Sequence, residues 1–117
     1  MNKIIVLFIV FVTSQQSVFA ACETDRLGVV FCGRGDCAKD RLGNVSCSKY
    51  FYGDALMDKN GDIVCGKSQC LSGTKFDDFY CSTVEGGGAK LDRLGNVKCY
   101  GGCEKASASM CESEQGR

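Results

Sequence analysis

The chain has 117 residues, with 14 basic and 14 acidic side chains, ten cysteines, and no proline, histidine or tryptophan. This balanced charge gives no electrostatic reason to expect nucleic acid or an anionic membrane as a partner. Because histidine is absent and no serine or cysteine stands beside a plausible base, nucleophilic catalysis lacks its usual groups. We therefore expect a protein that is not an enzyme.

Residues 1–20 have the pattern of a secretory signal peptide. Lys3 precedes an apolar run over residues 4–12, which is too short to span a bilayer as a helix. Val18 and Ala20 suit a signal peptidase cut after Ala20, so we predict export to the periplasm or the extracellular space. The alternative is a lipoprotein anchored at Cys22, since residues 19–22 are similar to a weak lipobox. Lipidation would leave an odd number of cysteines.

Residues 21–117 are predicted to form one disulfide-rich domain. Ten cysteines in these 97 residues are typical of an exported disulfide scaffold. Without Lys3, 13 basic residues stand against 14 acidic ones, a net charge of −1. A domain of this size buries a limited share of its surface, so disulfides are expected to supply much of its stability.

One phrase recurs along the chain: Asp-x-x-Gly, then a β-branched residue, then Cys. An Asp at the start of a turn accepts hydrogen bonds from the backbone two residues on, and a Gly at the fourth position can take a positive φ. Asp-x-x-Gly therefore predicts a type I turn with a bulge, the tip of a β-hairpin. The four copies begin at Asp25, Asp40, Asp58 and Asp92 and end at Cys32, Cys47, Cys65 and Cys99.

The phrase predicts an all-β fold, a disulfide-stapled array of about five short hairpins. The units cover residues 22–32, 37–47, 53–65, 70–81 and 87–99, and the fourth is degenerate, with Asp77 in place of Gly. The array can be a meander, a small sheet stack or a short solenoid. We expect residues 104–117 to be a short helix or a frayed end.

The alternation of side chains along a strand assigns each hairpin a buried face. On this pattern the face that carries the closing cysteines is buried, and it includes Val30, Val45, Ile63 and Val97. The opposite face is mostly polar. A neighbouring hairpin is expected to cover its apolar members, such as Phe31, Leu56 and Val64.

Hairpin register also predicts disulfides. It sets Cys22 opposite Cys32 and Cys37 opposite Cys47, at non-hydrogen-bonded positions where Cα atoms approach closely. Cys70–Cys81 is the analogue in the fourth unit, which leaves Cys65–Cys99 as a long-range tie and Cys103–Cys111 for the tail. A rival scheme closes the connectors as Cys32–Cys37 and Cys65–Cys70.

Metal and redox chemistry have little support. There is no Cys-x-x-Cys motif and no histidine, so we expect neither a zinc site nor a thioredoxin-like role, and no cofactor. Asp58, Asn60 and Asp62 resemble the start of a calcium loop. Ile63 stands where that loop requires Gly, however, and Gln69 where it requires Glu, so a hairpin tip is the better interpretation.

Two sets of residues are candidates for binding a partner protein or glycan. The first is the cation that follows each tip Asp, next to Leu27, Leu42 or Leu94, although such charges are usually solvated. The second is the tripeptide Arg-Gly-Asp at residues 34–36, which resembles the integrin-binding loops of adhesive proteins. The matching connector over residues 65–70 suggests a structural role for it. The candidate residues are Arg26, Arg41, Lys59, Arg93, Arg34, Gly35 and Asp36.

Seven aromatic residues lie in the linkers and the fourth unit, and we expect most of them to serve packing, with an exposed aromatic patch as the alternative. They are Tyr50, Phe51, Tyr52, Phe76, Phe79, Tyr80 and Tyr100.

The repeated phrase, the Cys-Gly-x-x-x-Cys connectors and the Gly-Gly-Gly-Ala segment at residues 86–89 resemble those of a group of small exported bacterial proteins of unknown function. The resemblance covers most of residues 21–117, except residues 50–52, the fourth unit and the tail, and it implies no activity. We expect a structural or binding module. The alternatives are an adhesin acting through residues 34–36 and an inhibitor of a secreted enzyme.

Overall fold

The computed structural model describes residues 21–73 and 78–113. The predicted signal peptide, the Asp77 position, Phe76 and the end of the tail (residues 114–117) lie outside the described residues. In the described part, short strands form the following elements: β1 (Ala21–Thr24), β2 (Val30–Gly33), β3 (Cys37–Lys39), β4 (Val45–Ser48), β5 (Ala55–Met57), β6 (Ile63–Cys65), β7 (Cys70–Ser72), β8 (Phe79–Ser82), β9 (Ala89–Leu91), β10 (Val97–Cys99), β11 (Cys103–Lys105) and β12 (Cys111–Ser113), with a 3₁₀ turn at Ala108–Met110.

The all-β prediction is confirmed. Consecutive strands pair antiparallel as β1–β2, β3–β4, β5–β6, β7–β8 and β9–β10. The predicted register holds in each hairpin, including the degenerate fourth, where Cys70 faces Cys81.

The four tips form for the reason that the phrase predicts. In the first tip the Asp25 carboxylate accepts the backbone N–H groups of Leu27 and Val29, both at 2.9 Å. Gly28 has a φ of 86°, in the left-handed region that suits glycine. The other three tips repeat these contacts at Asp40, Asp58 and Asp92, with Gly43, Gly61 and Gly95 at positive φ.

Successive hairpins are separate sheets that stack face to face. No hairpin of the described residues joins the next through strand pairing. Instead β1 contacts β3, β3 contacts β5, and β7 contacts β9. Phe31 packs on Val45 and Cys47 of the second hairpin, while Leu56 and Val64 pack on the disulfide cysteines of the fourth. The arrangement is therefore a short stack and not a meander.

The predicted buried face is correct inside the stack and wrong at its start. Val45 and Ile63 are 0% and 6% exposed, but Val30, at the same position of the first hairpin, is 59% exposed. Phe31, on the opposite face of that hairpin, is buried instead. The reason is positional: among the described residues no hairpin precedes the first one, so its cysteine-bearing face is left uncovered.

Buried serine hydroxyls connect the backbones of neighbouring hairpins. Ser48, Ser68 and Ser82 are fully buried. The Ser48 hydroxyl donates to the Gly66 carbonyl at 2.8 Å, the Ser68 hydroxyl to the Ser82 carbonyl at 3.1 Å, and the Ser82 hydroxyl to the Tyr100 carbonyl. These bonds satisfy carbonyl groups that separate sheets would otherwise leave unpaired inside the stack.

Residues 103–113, which we call the strap, run back along the stack from its last hairpin. β11 pairs with β8, Ser107 forms an isolated antiparallel bridge with Cys65, and β12 pairs with β4. The prediction of a helix or frayed end is therefore wrong over residues 104–113. The strap covers the edge strands of the second, third and fourth hairpins, so it holds stacked units together through backbone hydrogen bonds.

All ten cysteines lie in the described part of the chain and form five disulfides, which leaves no free thiol there. Cys22–Cys32, Cys37–Cys47 and Cys70–Cys81 are confirmed. Cys65–Cys99 and Cys103–Cys111 are wrong, because Cys65 bonds Cys111 and Cys99 bonds Cys103. Hairpin register contains no information about the strap, which brings Cys111 beside Cys65.

Substitution of the tip glycines separates backbone strain from stacking. At Gly28 an added Cβ meets nothing within 4 Å, whereas at Gly43 it lies 2.8 Å from Arg26 Cβ. We expect Gly28→Ala to cost about 1–2 kcal/mol through its positive φ alone. Gly43→Ala, at the same φ, is expected to cost measurably more in urea unfolding. Equal costs for the two variants would contradict the tip contact.

Removal of the strap disulfide is expected to loosen a different region from removal of the first one. Cys65–Cys111 has a sequence separation of 46 and Cys22–Cys32 one of 10. Chain entropy gives about 4 and about 3 kcal/mol for loops of these lengths. In the Cys65→Ala/Cys111→Ala variant the amide of Ser107 should exchange faster in hydrogen-exchange mass spectrometry. The Cys22→Ala/Cys32→Ala control should leave it unchanged, and a protected strap in both variants would refute its role.

Candidate functional site: the connector face

The stack has two edges on which variable residues gather. The tip face consists of the hairpin tips at residues 25–28, 40–43, 58–61 and 92–95. The connector face consists of the segments between hairpins, at residues 33–36, 49–54, 66–69 and 83–88, together with residues 100–102. These segments follow from the strand bounds, because the odd strands enter each hairpin and the even strands leave it at the edge opposite the tips.

On the tip face, two of the cations predicted to bind a partner, Arg26 and Arg41, instead donate hydrogen bonds to the next hairpin tip. The Arg26 backbone N–H donates to the Gly43 carbonyl at 3.1 Å, and its guanidinium to the Leu42 carbonyl at 3.4 Å. Arg41 repeats this on the third tip, with bonds of 3.1 Å to the carbonyls of Gly61 and Asn60. The structure thus stacks these tips in a row and gives their arginines a structural contact.

The other two tip cations and the tip leucines are exposed. Lys59 and Arg93 lie at the surface of the third and last tips. Leu27, Leu42 and Leu94 expose 75%, 60% and 68% of their surface. The tip face therefore exposes separate leucines, and the backbones of its first three tips bond to each other.

The Arg-Gly-Asp tripeptide is folded into the connector face. The Gly35 N–H donates to the Ser48 carbonyl at 3.2 Å, and the Asp36 N–H to the Gly53 carbonyl at 2.9 Å. Gly35 is buried, and a Cβ there would stand 2.3 Å from the Tyr50 carbonyl oxygen. The second connector therefore lies against the middle of the tripeptide, and backbone hydrogen bonds hold the tripeptide to the residues around it.

Cations and aromatic rings are paired on this face. The Arg34 guanidinium lies 5.5 Å from the centre of the Phe51 ring, and the Lys67 ammonium 5.7 Å from that of Tyr50. Such pairs are attractive through the ring quadrupole. Phe51, Tyr52 and Tyr100 remain 44%, 48% and 70% exposed, so these three rings are largely open to solvent.

The connector over residues 83–88 joins these aromatics into one surface. The Glu85 carboxylate accepts the Phe51 backbone N–H at 3.1 Å, and a Cβ at Gly86 would stand 3.5 Å from the Tyr52 ring. A Cβ at Gly101 would meet the Val84 side chain at 2.6 Å, which brings Tyr100 and its neighbours against the same connector. Residues 49–54 and 100–102, distant in sequence, thus both contact the connector over residues 83–88.

Asp54 lies beneath the patch in a partly buried position. Its carboxylate accepts the Cys70 backbone N–H at 2.8 Å. Burial is the main reason that the pKa of Asp54 is raised from 3.8 to about 6, and the neighbouring charge of Asp36 raises it further, while the hydrogen bond from Cys70 opposes the shift. Near pH 6 this carboxyl group therefore changes between its neutral and charged forms at the base of the connector face.

The calcium-like segment is used as a turn. One oxygen of the Asp58 carboxylate accepts the N–H groups of Asn60 and Asp62, at 2.9 and 3.0 Å, as in the other tips. A cleft of about 380 Å³ adjoins it, lined in part by Asp78 and Lys105, which form an ion pair at 3.4 Å. Within residues 21–73 and 78–113 no group of three or more acidic or cysteine side chains is placed to hold a metal ion.

Comparison with protein-family models, curated proteins and solved structures finds no match to this chain. In the part of the chain that the structure describes, no helix is long and apolar enough to cross a membrane. Five disulfides in so small a fold are consistent with an extracellular or periplasmic location.

Two features of the connector face were not predicted from the sequence: the buried serine hydroxyls and the partly buried carboxyl group of Asp54. Ser48 and Ser82 each follow a closing cysteine directly, and this repeated Cys-Ser pair was a signal that could have identified the buried hydroxyls. Asp54 carries no such signal, because its burial results from contact between separate connectors.

The raised pKa of Asp54 predicts a pH-dependent stability. The native carboxyl group holds its proton up to about pH 6 while the unfolded one, with a pKa of 3.8, has lost it. The stabilisation is therefore fully present below pH 3.8 and is lost as the pH rises through about 6. Asp54→Asn should flatten this part of the plot of unfolding free energy against pH. Asp36→Asn should narrow the pH range over which this stability is lost, because it removes one cause of the raised pKa of Asp54. The range should not disappear, because Asp54 stays buried. An unchanged profile in Asp54→Asn would contradict the assignment.

Proposed function

We propose that the chain is an exported binding module, without enzymatic activity, whose connector face binds another protein. Export rests on the signal-peptide pattern of residues 1–20 and on the pairing of all ten cysteines. The binding role rests on one observation: Phe51, Tyr52 and Tyr100 are exposed on segments that contact the same connector, residues 83–88, and Arg34 lies over the Phe51 ring.

The composition of the patch favours a protein over a glycan. Tyrosine, phenylalanine and arginine are enriched in protein interfaces and dominate their binding energy. A sugar ring would stack on an open aromatic face. Arg34 and Lys67, however, lie over the rings of Phe51 and Tyr50, and each occupies one face of its ring. These two cation-covered rings instead present aromatic and cationic groups together, and aromatic residues and arginine are both enriched in protein interfaces.

The stack supplies the rigidity that such a site needs. Gly35 is fixed between backbone carbonyls and Ser48 bonds to Gly66 beneath the patch, so the connectors are ordered before a partner arrives. Preorganised side chains lose less conformational entropy on binding. The burial of Gly35 gives the adhesin hypothesis less support, because the Arg-Gly-Asp backbone is covered by its own chain.

Capture from the exported fraction with matched variants tests the proposal. A Tyr52→Ala/Tyr100→Ala variant should lose at least about 30-fold in affinity for the captured protein, as removal of two interface aromatics does. The control Leu42→Ala/Leu94→Ala removes side chains of comparable exposure from the tip face and should bind normally.

Three outcomes would overturn the proposal. They are equal binding by both variants, loss of binding in the tip-face control alone, and a ligand that resists protease but is destroyed by glycosidases. The last would identify a glycan partner in place of a protein.

A further inference from the structure

The two ends of the stack have opposite surface chemistry. The outward face of the first hairpin, which we call the first end face, consists of Cys22, Thr24, Val30 and Cys32. These residues are cross-strand partners and all are exposed. The outward face of the last hairpin, the last end face, carries the cross-strand pair Lys90 and Lys98.

The first end face repeats a surface that is covered elsewhere in the chain. Val30 is 59% exposed, while Val45 and Ile63 at the equivalent positions are 0% and 6% exposed. In the second hairpin this surface is covered by Phe31 of the preceding unit. The first end face therefore has the residues of an internal contact, but the described chain provides no hairpin to cover it.

The last end face of a second copy is not suited to cover the first end face. Lys98 occupies the position that Phe31 holds in the first hairpin, and Lys90 lies directly across from it. Stacking this face on Val30 would bury two ammonium groups without a partner, which costs several kcal/mol per ion. A polar outer face of this kind is how repeat arrays end. Head-to-tail growth of the stack is thereby blocked.

We infer that two copies of the chain associate through their first end faces. The face carries no charged side chain, so it can meet its own copy across a two-fold axis without desolvating an ion. The lysines at both outer ends then stop further addition, and association closes at two copies. The product is a continuous stack with the Val30 side chains of both copies at its centre.

The affinity is expected to be modest. One face of a hairpin is smaller than the surface of a stable protein interface, which buries about 800 Å² per partner. Within the chain, connectors and the strap hold equivalent faces together, whereas two copies have only the contact itself. Association should therefore show at high concentration and reverse on dilution.

Sedimentation velocity of the protein purified from the exported fraction, with its N-terminus established by mass spectrometry, tests the inference. Between about 1 µM and about 1 mM the mass should rise from one copy to two and stop there. Val30→Lys and, separately, Thr24→Lys should remain single at all concentrations. Both positions are exposed, so the fold is expected to tolerate these changes. The control Leu94→Lys, on the tip of the last hairpin, should associate like the parent chain.

Several results would overturn the inference. A single copy at every concentration, growth of the parent chain beyond two copies, or normal association of both lysine variants would each do so. The capping role has its own test. Lys90→Thr/Lys98→Val should form assemblies larger than two copies, and a variant that stops at two would show that the lysines are not the block.

Discussion

The contact between the faces of successive hairpins organises this molecule. A two-stranded hairpin is marginally stable alone, because it has two faces and cannot bury either one itself. Stacking solves this by placing Phe31 of the first hairpin on Val45 of the second, and Leu56 and Val64 of the third hairpin on the disulfide of the fourth. The contacts of the tip arginines and of Ser48 follow from it, since each donates to a backbone carbonyl of the next hairpin or its connector.

Disulfides and stacking act at different levels. Three of the five disulfides close single hairpins and do not tie one hairpin to another. Attachment along the stack comes from face contacts, from the serine hydroxyls and from the strap. Cys65–Cys111 adds a covalent link to these contacts, because it joins the strap to the third hairpin. The covalent framework thus fixes the units, while weaker contacts fix their order and expose the connectors at one edge.

The sequence predicted the features that depend on neighbouring residues, such as turns and hairpin register. It did not predict the features that depend on contacts between distant segments. The Asp and Gly of each tip specify a turn within four residues, so register and two disulfides followed from spacing, and Cys70–Cys81 followed by analogy. Val30 shows the limit: its local pattern is that of Val45, yet its exposure depends on whether a hairpin precedes it. The strap is a further case, because its pairing partners lie far from it in the chain. The connector face likewise forms only where connectors such as those of Phe51 and Glu85 meet.

Nuclear Overhauser effects between hairpin tips measure the stacking without any substitution. Gly43 lies with its open side toward the Arg26 side chain, and Gly61 lies likewise toward Arg41. Stacked tips predict strong effects from the Gly43 α-protons to the Arg26 β-protons and from the Gly61 α-protons to the Arg41 side chain. Effects confined to protons of the same hairpin would show that the units do not stack in this way, and the connector face would then not exist as one surface.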